Sequence, residues 1–578
     1  MLHRLIEQRL QQTVAVLLPE ANLATILVRP CPDPRYGDYQ TNALIALAKE
    51  RKLNPRQVAA DVAGKLDVSE WCEPVEVAGA GFLNFRLKIT ALSRVLQAAA
   101  RGEQLFFQPT TQPRTIVVDF SSPNVAKPMH VGHIRSTVLG DCLARTLRLL
   151  GHRVVTDNHI GDWGTQFGKL LAGWKQQLNR AALSLDPIGE MERLYKAVNA
   201  ACETDPAALE TSRQELVKLQ NGDPENLAIW REMIALSEQQ FETVYARLGI
   251  KFDHTLGESF YNPRLKAVVE ELRTAGIARE SEGAIVVFFD DIPELKAHPS
   301  LILKSDGAAN YTTTDLATLA YRMETWQPEE IVYVTDGRQQ LHFKQLFAIF
   351  QRWKPQAQIK LAHAWFGSIL GEDGKPFKTR SGETIRLTDL LDEAQERAFQ
   401  VVTEKNPELG ESRRREIARI VGVGAIKYAD LLPNRQSDYV FSWDKMLSLS
   451  GNTAPYLQYA DTRLRSIFRK GEVAQPSGSA SPETVNDLPL CTPEEIRLAK
   501  HLLNYGIVLE AVAEEYRPNY LCNYLYDLAG LFAGFYEACP VLKAAEPERG
   551  ARLILCELTG RVLKQGLDVL GIETTEQM

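Results

Sequence analysis

One stretch of about 40 residues limits the architectures open to this chain. Thr115-Ile-Val-Val-Asp-Phe120 is a short apolar run suited to a buried strand. A Ser121-Ser-Pro-Asn124 turn follows, then a helical pattern from about His130 to Leu150, with Gly151 as its stop. Arg153-Val-Val-Thr156 supplies a second strand at once. Strand, helix and strand in that order make a βαβ unit. Two later runs, Ile331-Val-Tyr-Val334 and Lys360-Leu-Ala-His-Ala-Trp365, flank another helical stretch. The pattern predicts a Rossmann-like, doubly wound parallel sheet with ligands at the carboxyl ends of its strands.

At 578 residues the chain is too long for that sheet alone; at ~150 residues per domain it holds roughly four. The first 110 residues read as a mixed α+β segment, with alternation near Val75–Leu87, and end at Gln112-Pro-Arg114. The sheet domain spans 111–385, and residues from about 170 to 275 read as a polar helical insertion into it. A connecting helical segment covers 386–440. The helical period continues from about 415 onward, making 441–578 an all-α bundle interrupted by the low-complexity loop Gly471–Pro489. Eight cysteines with no CxxC pair predict reduced thiols and no metal centre. Arg4, Glu7 and Arg9 break any signal-peptide core, and no window of ~18 apolar residues exists, so a cytoplasmic protein outside membranes is expected. The net charge of -7 argues against a protein that coats polyanions through bulk charge.

Three clusters carry residues fit for chemistry. His130-Val-Gly-His133 stands where the first strand meets its helix, the place at which α/β sheets bind phosphates. Two histidines three apart share a helical face, and Gly132 permits close ligand approach. A zinc pair or two surface histidines would give the same pattern. Lys127, in the same turn, is suited to ATP phosphates or is simply a solvated lysine. Gly371-Glu-Asp-Gly-Lys-Pro-Phe-Lys-Thr-Arg-Ser-Gly382 is a cationic glycine-rich loop fit for pyrophosphate, or an exposed turn. Tyr311-Thr-Thr-Thr-Asp315 and Gln339 place a carboxylate and an amide at the ligand edge, matched to a guanidinium. Taken alone, Asp315 reads as a helix N-cap.

Together these residues resemble a class I aminoacyl-tRNA synthetase of the bacterial arginyl type. His130-Val-Gly-His133 looks like the HIGH motif, and Ser122–Thr137, Asn158–Gly168, Thr335–Gln339, Gly374–Gly382, Gly451–Tyr459 and Val562–Leu567 resemble arginyl signatures along nearly the whole chain. The resemblance implies ATP-dependent ligation of L-arginine to tRNA(Arg) through arginyl-adenylate, with Mg²⁺ accompanying ATP. It implies catalytic roles for Lys127, His130, His133 and Lys378. Arginine would be bound by Asp119, Ser122, Pro123, Asn124, His133, Tyr311, Asp315 and Gln339. ATP would be held by His130, Gly132, His133, Gly161, Asp162, Lys375 and Lys378. The KMSKS-like loop is degenerate in register, so Lys127 and Lys378 share the role of its second lysine in an unassigned proportion. The same resemblance implies an N-terminal domain on the outer corner of tRNA, a C-terminal anticodon-binding domain, a monomer, and a first step that requires bound tRNA. Residues 441–578 carry 13 Lys+Arg against 18 Asp+Glu, so a basic RNA face there rests on local clusters such as Arg463, Arg465, Arg469 and Lys470. The tyrosines and phenylalanines between Tyr505 and Tyr536 read mainly as core. A cysteine-specific sibling and a non-catalytic RNA-binding paralogue are the alternatives.

Overall fold

Five parallel strands lie side by side in the order Lys360–His363, Glu330–Val334, Thr115–Phe120, Arg153–Asn158 and His254–Thr255. They belong to a computed structural model that describes residues 1–102, 105–377, 384–471 and 488–578. The chain winds from the central strand Thr115–Phe120 to one edge, then crosses over to Glu330–Val334 on the other side. The direction of winding reverses between those two strands, which opens a crevice beyond their carboxyl ends.

Burial explains why the strands are apolar runs and not alternating ones. Ile116, Val118, Phe120, Val332 and Val334 enter one core with Val138 and Leu139 of the helix Val131–Leu149. Val117, Ile331 and Tyr333 enter a second core with Leu316 and Leu319 of helix Tyr311–Thr325 and Leu346 and Ile349 of helix Gln340–Trp353. Side chains alternate across a strand, so covering both faces demands apolar residues at every position. Helix Val131–Leu149 packs close enough that a Cβ at Gly140 would sit 2.1 Å from the Phe120 ring.

Three local features depart from the sequence reading. The helical stretch expected over about 170–275 runs from Gln166–Gln177 to Pro224–Leu248, then returns to the sheet as His254–Thr255 before helix Asn262–Thr274. A three-stranded antiparallel sheet, Arg279–Ser281, Ala284–Val287 and Ser300–Leu303, precedes Tyr311. The region after 415 is not wholly helical, because Tyr439–Val440 pairs in parallel with Ile369–Leu370. The strands His254–Thr255, Ile369–Leu370 and Tyr439–Val440 are two residues long and carry no readable period, so their pairings have no sequence signature.

The first 100 residues form a four-stranded antiparallel sheet, Arg29–Pro30, Tyr39–Thr41, Phe82–Phe85 and Glu76–Ala78 in spatial order, packed by helices such as Leu2–Leu17 and Ile89–Ala100. The C-terminal helices include Ala454–Lys470, Asn519–Ala538 and Glu548–Val569, and most of the aromatic residues from Tyr505 to Tyr536 are core: Tyr505, Tyr516, Tyr524, Phe532 and Phe535 are buried. Among the described residues no helix is long and apolar enough to cross a membrane.

Helix Val131–Leu149 is joined to helix Glu411–Leu431 by a buried ion pair. Arg135 Nε lies 3.0 Å from Asp430 Oδ1, with both side chains at most 1% exposed. Arg135 also donates to the carbonyls of Gly367 and Ser437. Removing the cation strands a buried carboxylate, so Arg135→Ala is expected to cost about 3–5 kcal/mol in urea unfolding. A loss below 1 kcal/mol would show that the junction does not depend on this pair.

Candidate active site

The turn that leaves the central strand is strained. Ser121, Ser122 and Ala126 have φ of 75°, 50° and 60°, each in a left-handed conformation that costs a non-glycine residue about 1–3 kcal/mol. Surrounding side chains hold the turn in place. Ser121 N donates to Ser136 Oγ at 2.8 Å, and Ser122 N donates to Asn158 Oδ1 at 3.1 Å. The insertion contributes as well: Ser237 Oγ accepts from Ala126 N at 3.0 Å, and the Tyr245 hydroxyl lies 2.8 Å from Ser121 Oγ and accepts from Asn158 Nδ2. Both residues come from helix Pro224–Leu248, so the insertion braces the crevice. Ser237 and Tyr245 have no sequence signal that points to this work.

His130 is not on the helix. It is the N-cap, with φ -124° and ψ 172°, and His133 is the third helical residue. The shared helical face expected from their spacing is replaced by a reciprocal capping box. His130 Nδ1 accepts from Gly132 N at 3.0 Å, and His133 Nδ1 accepts from His130 N at 3.0 Å. The rings lie 4.0 Å apart between centroids. Because both Nδ1 atoms accept, a neutral ring carries its proton on Nε2. Burial, then the charges of Arg338 and Lys127, lowers the His130 pKa. Burial, with His130 adding, lowers that of His133 to about 3. Both are therefore neutral hydrogen-bond donors near neutral pH. The role of Gly132 is also local, since a Cβ there would lie 2.9 Å from the His130 ring.

On the other side of the crevice, Asp119 sits directly opposite Asp157 in the parallel ladder. Arg322, fully buried, donates to Asp119 Oδ2 at 2.5 Å and to Asp157 Oδ2 at 2.8 Å. Ser122 Oγ donates to Asp119 Oδ1 at 3.3 Å. Pro123 is buried and Asn124 exposed, and Asn124 lies in a bridge with Gly161 so close that a Cβ on the glycine would meet Asn124 Oδ1 at 2.3 Å.

Asp315 is not a helix cap. Helix Tyr311–Thr325 begins four residues earlier with Asn310 as its N-cap. The Asp315 carboxylate accepts from His342 Nε2 at 2.6 Å, and the exposed Tyr311 ring packs edge-on against His342. Gln339 is exposed at the end of the 3-10 turn Gly337–Gln339, just beyond strand Glu330–Val334. A second carboxylate, Glu258, was not singled out by sequence. Burial pushes it up to about 7, with the charges of Asp315 and Asp162 raising it and His159 opposing.

The residues expected at ATP are less uniformly placed. Gly161 adjoins the turn. Asp162 is buried, and its carboxylate accepts from Ser259 N at 2.8 Å and Ser259 Oγ at 2.5 Å, which makes it a support of the Glu258 segment. Lys127 and Lys375 are exposed, while Lys378 lies outside the described residues. The chain that follows the glycine-rich loop returns to the histidines: Val131 N donates to Ile385 O, and Leu387 N donates to Met129 O. Arg338, paired with Asp336 and 87% exposed in its side chain, adds another cation whose charge reaches His130.

Comparison with known proteins gives this geometry a family. Residues 94–443 match tRNA synthetases class I (R), catalytic domain; residues 457–578 match the DALR anticodon binding domain; and residues 1–87 match the Arginyl tRNA synthetase N terminal domain. The chain is 45% identical over 585 residues to an arginine–tRNA ligase of Hahella chejuensis, covering 100% of both, and 45% identical to one of Shigella dysenteriae, covering 95% of each. The solved arginyl-tRNA synthetase of Thermus thermophilus superposes with a TM-score of 0.84 at 28% identity over 100% of both chains. That of Plasmodium falciparum gives 0.84 at 28% identity over 100% of this chain and 99% of its own. The chain belongs to the arginyl-tRNA synthetase family of class I aminoacyl-tRNA synthetases.

Proposed function

We propose that the crevice ligates L-arginine to the 3′ end of tRNA(Arg) in two steps, forming arginyl-adenylate from MgATP and then transferring arginine with release of AMP. The enzyme is read as a cytoplasmic monomer. The observation that carries the substrate assignment is the Asp315 carboxylate, oriented by His342 at 2.6 Å on the helix that follows the switch-point crevice, with the His130/His133 pair at the strand end opposite. Carboxylates select a guanidinium, whose planar fork matches them better than an ammonium does. His342 donates to one Asp315 oxygen and fixes the orientation of the carboxylate.

In the first step the arginine carboxylate attacks the α-phosphate in line and pyrophosphate departs. The His130 and His133 Nε2–H groups donate to phosphate oxygens as charge shifts toward the leaving group, and Lys127, Lys375 and Lys378 supply positive charge. The protein does little covalent chemistry; positioning and fixed dipoles provide most of the rate. Asp119 receives the substrate ammonium beside Ser122 and Asn124, with Pro123 holding the turn. In the second step the terminal ribose hydroxyl of tRNA attacks the mixed anhydride.

Asp315→Asn removes a charge-assisted contact worth about 1.5–3 kcal/mol, so the KM for arginine is expected to rise roughly 10- to 150-fold with the KM for ATP unchanged. Equal losses for both substrates would remove Asp315 from the arginine site. Arginine-dependent ATP–pyrophosphate exchange is expected only with tRNA present; robust exchange without it contradicts that dependence. Charging with each of the twenty amino acids should select arginine alone.

The RNA face has one candidate base pocket. A cavity of about 320 Å³ among Val402, Val421, Leu447, Leu449 and Met578 opens beside Tyr459, an exposed residue. A stacked base is worth about 1–3 kcal/mol, so Tyr459→Ala should weaken tRNA(Arg) binding roughly 5- to 150-fold in a filter assay. Unchanged affinity would assign the cavity to packing alone.

A further inference from the structure

One helix of the insertion touches the crevice at two separate points. In helix Pro187–Thr204 the Tyr195 ring centroid lies 5.5 Å from Lys127 Nζ and 5.9 Å from Lys169 Nζ. One turn earlier, Glu192 Oε2 accepts from Arg386 Nη2 at 3.2 Å, and Asp186, the N-cap of the helix, pairs with Arg386 Nη1 at 3.1 Å. Arg386 forms a bridge with His130 just where the chain re-enters from the glycine-rich loop. Glu192 and Tyr195 are three residues apart and share a face. That face therefore holds both the lysine before the histidine pair and the base of the cationic loop.

We infer that helix Pro187–Thr204 is a positioning element for adenylate formation, with Tyr195 setting the place of Lys127 and the Asp186/Glu192 pair setting that of Arg386. A lysine on a four-carbon stem loses substantial rotamer entropy when it is fixed at a reacting phosphate. A ring beneath the ammonium restricts it beforehand. Being neutral, the ring attracts the cation without cancelling its charge, as a carboxylate would. The inference rests on the reading of Lys127 as a phosphate-facing residue, and the test separates the two.

The test is ATP–pyrophosphate exchange by the full chain with tRNA present, comparing Tyr195→Leu, Tyr195→Phe, Lys127→Met and the Tyr195→Leu/Lys127→Met double variant. Tyr195→Leu is expected to lower kcat about 2- to 30-fold with the KM for arginine unchanged, and Tyr195→Phe, which keeps the ring, should stay within about twofold of the parent. The double variant should be no slower than Lys127→Met, because the two residues act through one ammonium. Normal kcat in Tyr195→Leu beside a slow Lys127→Met overturns the positioning role and leaves Lys127 in place. Multiplicative losses in the double variant overturn it too. Normal kcat in Lys127→Met overturns the underlying reading of Lys127, and the inference with it. Should Tyr195→Leu unfold, Glu192→Gln tests the other arm: reduced kcat at constant arginine KM is expected, and an unchanged kcat overturns the inference.

Discussion

Everything at the carboxyl edge of the sheet depends on one buried cation. Asp119 and Asp157 face each other across the parallel ladder, an arrangement two carboxylates do not adopt unaided. Arg322 bonds to both. It comes from helix Tyr311–Thr325, the same helix that carries Tyr311 and Asp315. The pair of strands and the helix that carries Asp315 are thus locked together from beneath the crevice. Burial, with the charge of Asp119 adding, still holds the Asp157 carboxyl above the usual range against the opposing charge of Arg322. Breaking such a network by removing one partner leaves an uncompensated charge and costs about 3–5 kcal/mol. The strain of the Ser121–Ala126 turn is tolerable because its neighbours are fixed this firmly.

The sheet was largely legible because its strands are covered on both faces. Thr115–Phe120 and Glu330–Val334 announce themselves as apolar runs, and the histidine pair follows the first of them in the expected place. The site was legible as a collection of residue types, less so as geometry. The spacing of His130 and His133 suggests a helical face, yet the backbone turns into the helix between them and makes a capping box. Asp315 resembles a cap because the helical run Leu316–Ala320 follows it, but the helix begins at Tyr311. Local propensity loses there to packing of Leu316 and Leu319 against the sheet. Glu258, Ser237 and Tyr195 reach the crevice from segments 75 to more than 100 positions beyond the first strand, and no local pattern records such contacts.

The insertion illustrates why polar helices can be more than ornament. Helix Pro224–Leu248 supplies two groups that satisfy a strained turn, and helix Pro187–Thr204 reaches Lys127, Lys169 and Arg386. A turn with three positive φ values is stable only where its freed N–H groups find fixed acceptors. Water could accept these bonds as well, but would leave the turn free to relax. Side chains mounted on a packed helix do not, so the insertion helps keep the reacting edge rigid.

Charge placement resolves the tension between a net charge of -7 and a polyanionic partner. In the C-terminal helical region, Arg465, Arg497, Arg552 and Arg561 pair with Asp461, Glu494, Glu495 and Glu557. Such pairs leave little field beyond about a Debye length of 8–10 Å at ordinary salt. At the crevice the partners are mixed: Arg338 and Arg386 pair with carboxylates, whereas two lysines meet a neutral ring. Lys127 lies over a tyrosine ring, and Lys169 lies over the same ring and donates to the Asn199 side-chain amide at 2.6 Å. Among the described residues neither lysine forms an ion pair with a carboxylate. A chain acidic on average can therefore keep individual lysines beside the histidine pair without carboxylate partners. A neutral ring holds these two lysines, while carboxylates pair with many of the other cations.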